Sequence, residues 1–429
     1  MRILFLTAQL PEPAHAGGTL RTSGLMRGAH AAGHELHLLA FGAEPAAQAV
    51  LPVLNEYCAR VEFVAPPQRS IGDRLRDLLF TSRPDMQRRF YSPQYAARLQ
   101  ALLAAEPYDL VQIESLEMAT YLPVIKASQP AARVIYDSFN AEYDLQRSIY
   151  EAERRELKRL PGAIYSLIQW QRLVRFERQV CETVDHVIAV SEADAAAFER
   201  LAPRCPVAVV PNGIDAAPYA HDDSSLDLGP AALVFTGSMG YRPNVDAALW
   251  FADDILPRIR AAAPEARFFI VGSQPHPRLQ PLCERDDVEI TGWVPDVKPF
   301  LHAAAVFVVP LRMGSGTRLK ILQAMAAGRA VVSTTLGAQG LDAQDGVALR
   351  LADSATEFAR QVVALLGAPD QRQSLGRAGA ALVAQQYDWS VIVPRLLDVY
   401  RRLDSNTSET PAPEAHSERG ATSTVDSLR

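Results

Sequence analysis

Short, mainly apolar runs recur along the whole chain, at 2–7, 37–41, 61–64, 110–113, 134–136, 186–191, 207–210, 232–236, 268–271, 288–291 and 305–311. The last is unbroken and does not alternate with polar residues, so it reads as a strand buried on both faces of a parallel sheet. Between the runs, apolar residues fall at helical spacing, as with Leu249, Ala252, Leu256 and Ile259 in a helix expected over 245–263. Further helices are expected over 19–32, 353–367 and 390–403. Strand alternating with helix predicts an α/β fold built on parallel sheets. The 429-residue length suggests two or three domains.

The stretch 305–334, AVFVVPLRMGSGTRLKILQAMAAGRAVVST, carries the most chemistry. Its strand breaks at Met313-Gly314-Ser315-Gly316, and Thr317 offers a hydroxyl where a helix N-cap belongs. Leu319, Leu322, Met325 and Ala326 follow at helical spacing, Gly328 supplies a stop, and 330–334 begins a new strand. A glycine loop lets the backbone approach a ligand closely, and the positive end of the helix dipole favours an anion. Arg318 and Lys320 in the first turn oppose that dipole. An anionic ligand, most simply a diphosphate, explains both; a solvated first turn with chance basic residues is the alternative.

The same grammar recurs. Strand 2–7 leads to Gly17-Gly18 before a helix, with Arg21 close by, although a tight turn accounts for the glycines equally well. Strand 232–236 leads to Gly237-Ser238 and on to Arg242, which is either available to a phosphate or simply on the surface. The run 288–291 ends in Gly292-Trp293-Val294-Pro295. In the first half, Glu114-Ser115 and Asp137 stand at strand ends, where doubly wound sheets place their ligands. Carboxylates there are catalytic candidates, while Asp also caps helices.

The order G-S-G-T-R-x-K-I-L-x-A-M-A-A-G-R-A-V-V-S-T, from Gly314 to Thr334, resembles the nucleotide-sugar site of GT-B glycosyltransferases of the retaining, family 4 type. The resemblance spans roughly 1–403 and is strongest over 206–345. It implies two Rossmann-like doubly wound domains facing across a cleft. Gly314, Ser315, Gly316 and Thr317 would then meet the donor sugar, Gln323 the ribose and Val294 the base, with Trp293 either nearby or in the core. Gly17, Gly18, Gly237, Ser238, Arg242, Arg318 and Lys320 would surround the diphosphate. Arg318, Lys320, Glu114 and Asp137 are the catalytic candidates. Pro211-Asn212-Gly213-Ile214-Asp215 looks like the family's hinge. The expected domains are therefore 1–205 and 206–386, with a helix at 387–403 returning to the first domain and a disordered tail at 404–429.

Two departures stand out. Many relatives carry a His near Asp137 and Phe139, and this chain has none there. The family's two Glu fall on Ser315 and Gln323. Losing the charge at Gln323 weakens each ribose hydrogen bond by about 1 kcal/mol.

Composition adds exclusions. The net charge of −6 argues against nucleic acid as a partner, and the acidic excess lies in the second half. Cys58, Cys181, Cys205 and Cys283 are far apart, without metal-site or disulfide spacing. No D-x-D triad stands near a strand end, so no metal and no separate cofactor is expected. No run approaches the ~18 apolar residues of a membrane span, and the apolar start is too short for a signal peptide. A cytoplasmic protein is expected, either free or at the inner face of the cell membrane. Residues 69–89 carry six Arg interleaved with Ile71, Leu75, Leu78, Leu79 and Phe80. They form either a basic amphipathic helix for an anionic membrane or a surface helix packing its leucines on the domain, the second being favoured. A long charged helical region is expected over 141–182, broken at Pro161-Gly162.

Taken together, these readings predict a hexosyltransferase-type enzyme. Its donor would be a UDP-, GDP- or ADP-sugar, and its acceptor a glycan or a lipid-linked molecule. The alternatives are a non-catalytic nucleotide-sugar-binding protein or a nucleotide-sugar epimerase.

Overall fold

In the computed structural model, which describes residues 1–14, 17–154, 160–221, 225–314 and 319–405, the apolar runs assemble into two separate parallel sheets. The first orders its strands β3-β2-β1-β4-β5-β6-β7. These are β1 (Arg2–Thr7), β2 (Glu35–Phe41), β3 (Arg60–Val64), β4 (Leu110–Glu114), β5 (Arg133–Asp137), β6 (His186–Ala189) and β7 (Val207–Val209). The second sheet runs β10-β9-β8-β11-β12-β13. Its strands are β8 (Ala232–Thr236), β9 (Arg267–Val271), β10 (Val288–Gly292), β11 (Val306–Val309), β12 (Val331–Ser333) and β13 (Arg350–Leu351). Both sheets reverse direction of winding beside their first strand, at β1/β4 and at β8/β11, and ligands of such sheets bind at that switch point. The central strands are fully buried because helices cover both faces, which is why they lack polar alternation.

The expected boundary at 205/206 needs correction. Strand β7 pairs with β6 and completes the first sheet, so the chain crosses to the second domain only after 209. Helix α1 (Gly17–Ala31) and the last helix bracket the crossing. The last helix, here α7 (Trp389–Ser405), sends Ile392, Leu396, Val399 and Tyr400 into the first domain's core. At the joint the Trp389 ring is wedged between Gly24 of α1 and Gly213 of the linker, and a Cβ would fall 2.1 Å and 2.5 Å from the ring at these two positions. Glycine is the residue that allows this approach.

Between these ends, the expected helix 69–89 is two pieces. Helix α2 (Ile71–Phe80) is separated from a short helix Asp85–Arg89 by Pro84, which cannot continue a helix from its amino side. The leucines of α2 pack on the domain only in part: Leu78 is half-buried, but Leu75 and Leu79 stand in solvent. The charged region forms α3 (Glu142–Glu153) and α4 (Leu160–Thr183). In the second domain α5 (Arg242–Trp250) starts earlier than expected because Pro243 fits a first helical turn. A wider turn, Phe251–Ile255, carries it into Leu256–Arg260. Helix α6 (Leu319–Ala326) follows the glycine loop. Residues 406–429, most of the expected tail, lie outside the described residues. Among the described residues no helix is long and apolar enough to cross a membrane.

Candidate functional site

At the carboxyl edge of the second sheet, β8 and β9 each run directly into a glycine, β10 ends in one, and β11 leads to Gly314. Gly237 and Gly272 have φ of +151° and +155°, a region L side chains rarely adopt. A Cβ on Gly272 would fall 1.8 Å from the Gly237 carbonyl oxygen, so the two loops nest only as glycines. The Lys320 ammonium lies over this nest. It donates to Asn244 Oδ1 at 2.9 Å and stands 4.1 Å above the centre of the Phe235 ring. Asn244 in turn donates to the Ser238 carbonyl at 2.9 Å, which keeps its own oxygen turned to Lys320. A fixed cation thus sits at the mouth of the Gly237-Ser238 loop.

Three residues beyond Lys320 on α6, Gln323 donates its amide to the Tyr219 hydroxyl at 3.0 Å. Burial raises the pKa of that phenol, so it remains a hydroxyl at neutral pH. With its nitrogen so engaged, Gln323 has its carbonyl oxygen left as acceptor. Val294 is half-buried against the second core, whereas Trp293, offered as a core alternative, is 66% exposed. Arg242 stands exposed in the first turn of α5. Ser315, Gly316, Thr317 and Arg318 lie outside the described residues.

The first domain brings its own helix start to the same place. A Cβ on Gly17 would lie 3.7 Å from Leu319 Cδ1, and Leu20 packs on the second domain's core. Gly18 rests against Phe139 and Gln9. The N-termini of α1 and α6 therefore converge from opposite domains, and neither first turn carries an acid. Two sets of helix-start amides with aligned dipoles make the gap favourable to an anion. Beside it, Gly314 lines an interdomain cavity of about 290 Å³. Asp144 and Ser148 of α3, with Ser191 and Asp194, form its first-domain wall. This side offers hydroxyls and carboxylates, the groups that bind polyols.

Three sequence expectations change. Arg21 is 1% exposed and does not reach the anion site. Its Nη2 meets Asp137 Oδ1 at 2.6 Å and its Nε meets Oδ2 at 3.0 Å. Its Nη1 donates to the Val210 and Pro211 carbonyls at 2.9 and 3.2 Å and to Asn212 Oδ1 at 3.1 Å. Asp137, a catalytic candidate, is 0% exposed and serves as the counter-ion of this linker clamp. Glu114, the other candidate, is 1% exposed and accepts from Thr22 Oγ1 at 2.9 Å and Gln112 Nε2 at 2.7 Å. Gln112 accepts from the Tyr400 hydroxyl of α7 at 2.6 Å. Burial pushes the Glu114 carboxyl up to about 8, with the Asp137 charge adding and Arg21 opposing. Burial also raises Asp137, against the pull of Arg21. Strand ends marked these carboxylates, but the packing of α1, α7 and the linker turned them inward.

The sequence reading assigned no role to Asn244 or Tyr219. Asn244 stands three residues past the Met239-Gly240-Tyr241 turn, but nothing local shows that it meets Lys320. Among the described residues, one group of three metal-ligand side chains comes together, Glu35, His37 and Glu106. It lies away from the cleft, near the amino ends of the first sheet's strands, where Arg2 and Arg60 already pair with its carboxylates.

Comparison with known proteins covers both halves. A family described as glycosyl transferases group 1 matches residues 230–368, and one described as glycosyl transferase 4-like domain matches 16–213. An uncharacterized 44.6 kDa protein of the cps region of Klebsiella pneumoniae is 20% identical over 84% of this chain and 90% of its own length. The phosphatidyl-myo-inositol mannosyltransferase of Mycolicibacterium smegmatis is 30% identical over 45% of this chain, which spans only 51% of that relative. Among solved structures, Anabaena HepE in complex with UDP and glucose superposes with a TM-score of 0.66 at 15% identity, covering 94% of this chain and 99% of HepE.

Proposed function

The chain belongs to the group 1 glycosyltransferases and has the GT-B fold, and from that premise we propose that it transfers a hexose from a nucleoside-diphosphate sugar to a glycan or lipid-linked acceptor. The convergence of the α1 and α6 N-termini beside Lys320 is the observation that carries this reading. In the reaction, the bond from the anomeric carbon to the diphosphate oxygen breaks and the acceptor hydroxyl oxygen takes that carbon. The acceptor's proton passes to the departing phosphate. Charge accumulates on the diphosphate, and Lys320 with the helix-start amides would receive it. Arg318 and Arg242 are proposed as further diphosphate ligands, Gly314 to Thr317 as sugar contacts, Gln323 as a ribose acceptor and Val294 as the base contact. Charge neutralisation by these cations suits a metal-independent transfer. Retention, a place in surface polysaccharide or glycolipid synthesis, and work at the cytoplasmic face of a membrane complete the proposal. The complexes of HepE with UDP support UDP as the first nucleotide to try among UDP, GDP and ADP.

The test is a calorimetric screen of UDP-, GDP- and ADP-sugars with and without EDTA, followed by donor hydrolysis and acceptor panels. Lys320→Met should raise the donor Kd or lower turnover about tenfold or more, roughly 1.4 kcal/mol. Unchanged kinetics reject the assignment. The second reading, a nucleotide-sugar-binding protein without turnover, draws on Gln323 and on the burial of both Glu114 and Asp137. Donor binding with no sugar release on any acceptor would favour it.

A further inference from the structure

Helix α2 is built inside out. A capping box secures its start: Ser70 Oγ accepts from Asp73 N at 3.1 Å, and the Asp73 carboxylate accepts from Ser70 N at 3.0 Å. Its inward anchor is not a leucine but Asp77, buried and held by Arg69 at 2.7 Å and Arg88 at 3.2 Å. Arg172 of α4 closes the other end by donating to the Leu78 and Arg83 carbonyls at 2.7 and 3.2 Å. With the polar face fixed inward, Ile71, Leu75, Leu79 and Phe80 are left 56–85% exposed. Ile164 of α4, 61% exposed, follows alongside, next to Tyr165, which stands close to Arg74 of α2. Five large apolar side chains in one region exceed the scattered exposure of an ordinary surface.

The rim of this patch is cationic. Exposed Arg83 and Arg175 make no ion pair and no side-chain hydrogen bond among the described residues. The nearby acids are all engaged: Asp73 by Ser70 and Arg76, Asp77 by Arg69 and Arg88, Asp85 by Arg69, Arg74 and Arg89. A shallow concavity of about 370 Å³ joins Leu79 and Phe80 to Ile168, Arg172 and Arg175. Apolar side chains beside unpaired arginines match the boundary between acyl chains and phosphate headgroups. We infer that the α2–α4 face docks on an anionic lipid bilayer, inserting Leu75, Leu79 and Phe80 while Arg83 and Arg175 meet lipid phosphates. A second copy of the chain is the poorer occupant, because symmetric pairing sets the same arginines against each other. The chain enters α2 from the carboxyl end of β3, the end of the first sheet that faces the cleft. There a lipid-linked acceptor would be within reach, though the docking itself does not rest on the transferase reading.

The full chain is tested by flotation with phosphatidylcholine vesicles with or without phosphatidylglycerol. Binding should require phosphatidylglycerol and fall in about 0.5 M salt, where the Debye length shrinks to a few ångströms. Leu79→Ser with Phe80→Ser should lower the partition coefficient about tenfold or more. Arg83→Ser with Arg175→Ser should also lower it about tenfold or more and weaken its salt dependence. These side chains are exposed, so melting temperature and donor binding serve as controls expected to stay unchanged. Equal vesicle binding by the wild type and the Leu79/Phe80 variant overturns the inference, as does no binding to anionic vesicles. A wild-type dimer that Phe80→Ser dissociates, with no vesicle binding, assigns the patch to self-association and also overturns it.

Discussion

Arg21→Met is the most informative single change. Methionine keeps much of the length and apolar bulk but removes every N–H of the guanidinium. Asp137, at 0% exposure, then loses its counter-ion. Three linker acceptors, the Val210 and Pro211 carbonyls and Asn212 Oδ1, lose their donor at the same time. Breaking a buried pair by removing one partner typically costs about 3–5 kcal/mol, because an uncompensated charge is left in a low dielectric. Protonation of Asp137, already favoured by burial, offsets part of that cost at low pH. The loss should therefore be larger at pH 8 than at pH 5. Urea unfolding followed by tryptophan fluorescence is a suitable assay, since Trp389 is wedged at this joint. The double change Arg21→Met with Asp137→Leu removes both charges and should recover about half or more of the single-variant loss. A loss below about 1 kcal/mol for Arg21→Met would refute the clamp. A double variant as damaged as the sum of its singles would refute the coupling.

Other outcomes follow from the same geometry. Gly24→Ala places a Cβ 2.1 Å from the rigid Trp389 ring, so overpacking should destabilise the chain by about 1–3 kcal/mol in the same assay. The Glu114 carboxyl keeps its proton in the fold up to about pH 8, while in the unfolded chain it ionises near 4.3. Its contribution is present below the unfolded value and lost as pH rises toward 8, with a slope of at most about 1.4 kcal/mol per pH unit. Glu114→Gln should flatten stability over that window, and an unchanged slope counts against the assignment. Glu177, also buried and pushed up to about 8, should leave a similar slope behind. Gln323→Glu restores a charged acceptor and should tighten donor binding by about fivefold, near 1 kcal/mol; weaker or equal affinity by calorimetry places the ribose elsewhere.

What the sequence determined on its own was the repeated unit. Unbroken apolar strands, glycine loops and helices at 3.6 spacing are local patterns, and they made both parallel sheets and the glycine-led helix α6 legible from residues alone, while the return of α7 to the first domain was an implication of the family resemblance. The sequence also singled out Lys320, because a cation in a helix's first turn opposes the local dipole. The tertiary structure decided the rest, wherever a residue's role depends on what packs on it from far along the chain. Strand β7 joined the first sheet because β6 had an open edge to pair. Glu114 and Asp137 looked catalytic by their strand-end positions, but Arg21, Gln112, Tyr400 and the linker closed over them. Leu75 and Leu79 of α2 looked like packing residues, yet buried Asp77 with its two arginines fixed the opposite face inward. Periodicity determines that a helix has two faces. Which face the fold keeps for itself is set by contacts between residues remote in sequence, and no local pattern encodes those.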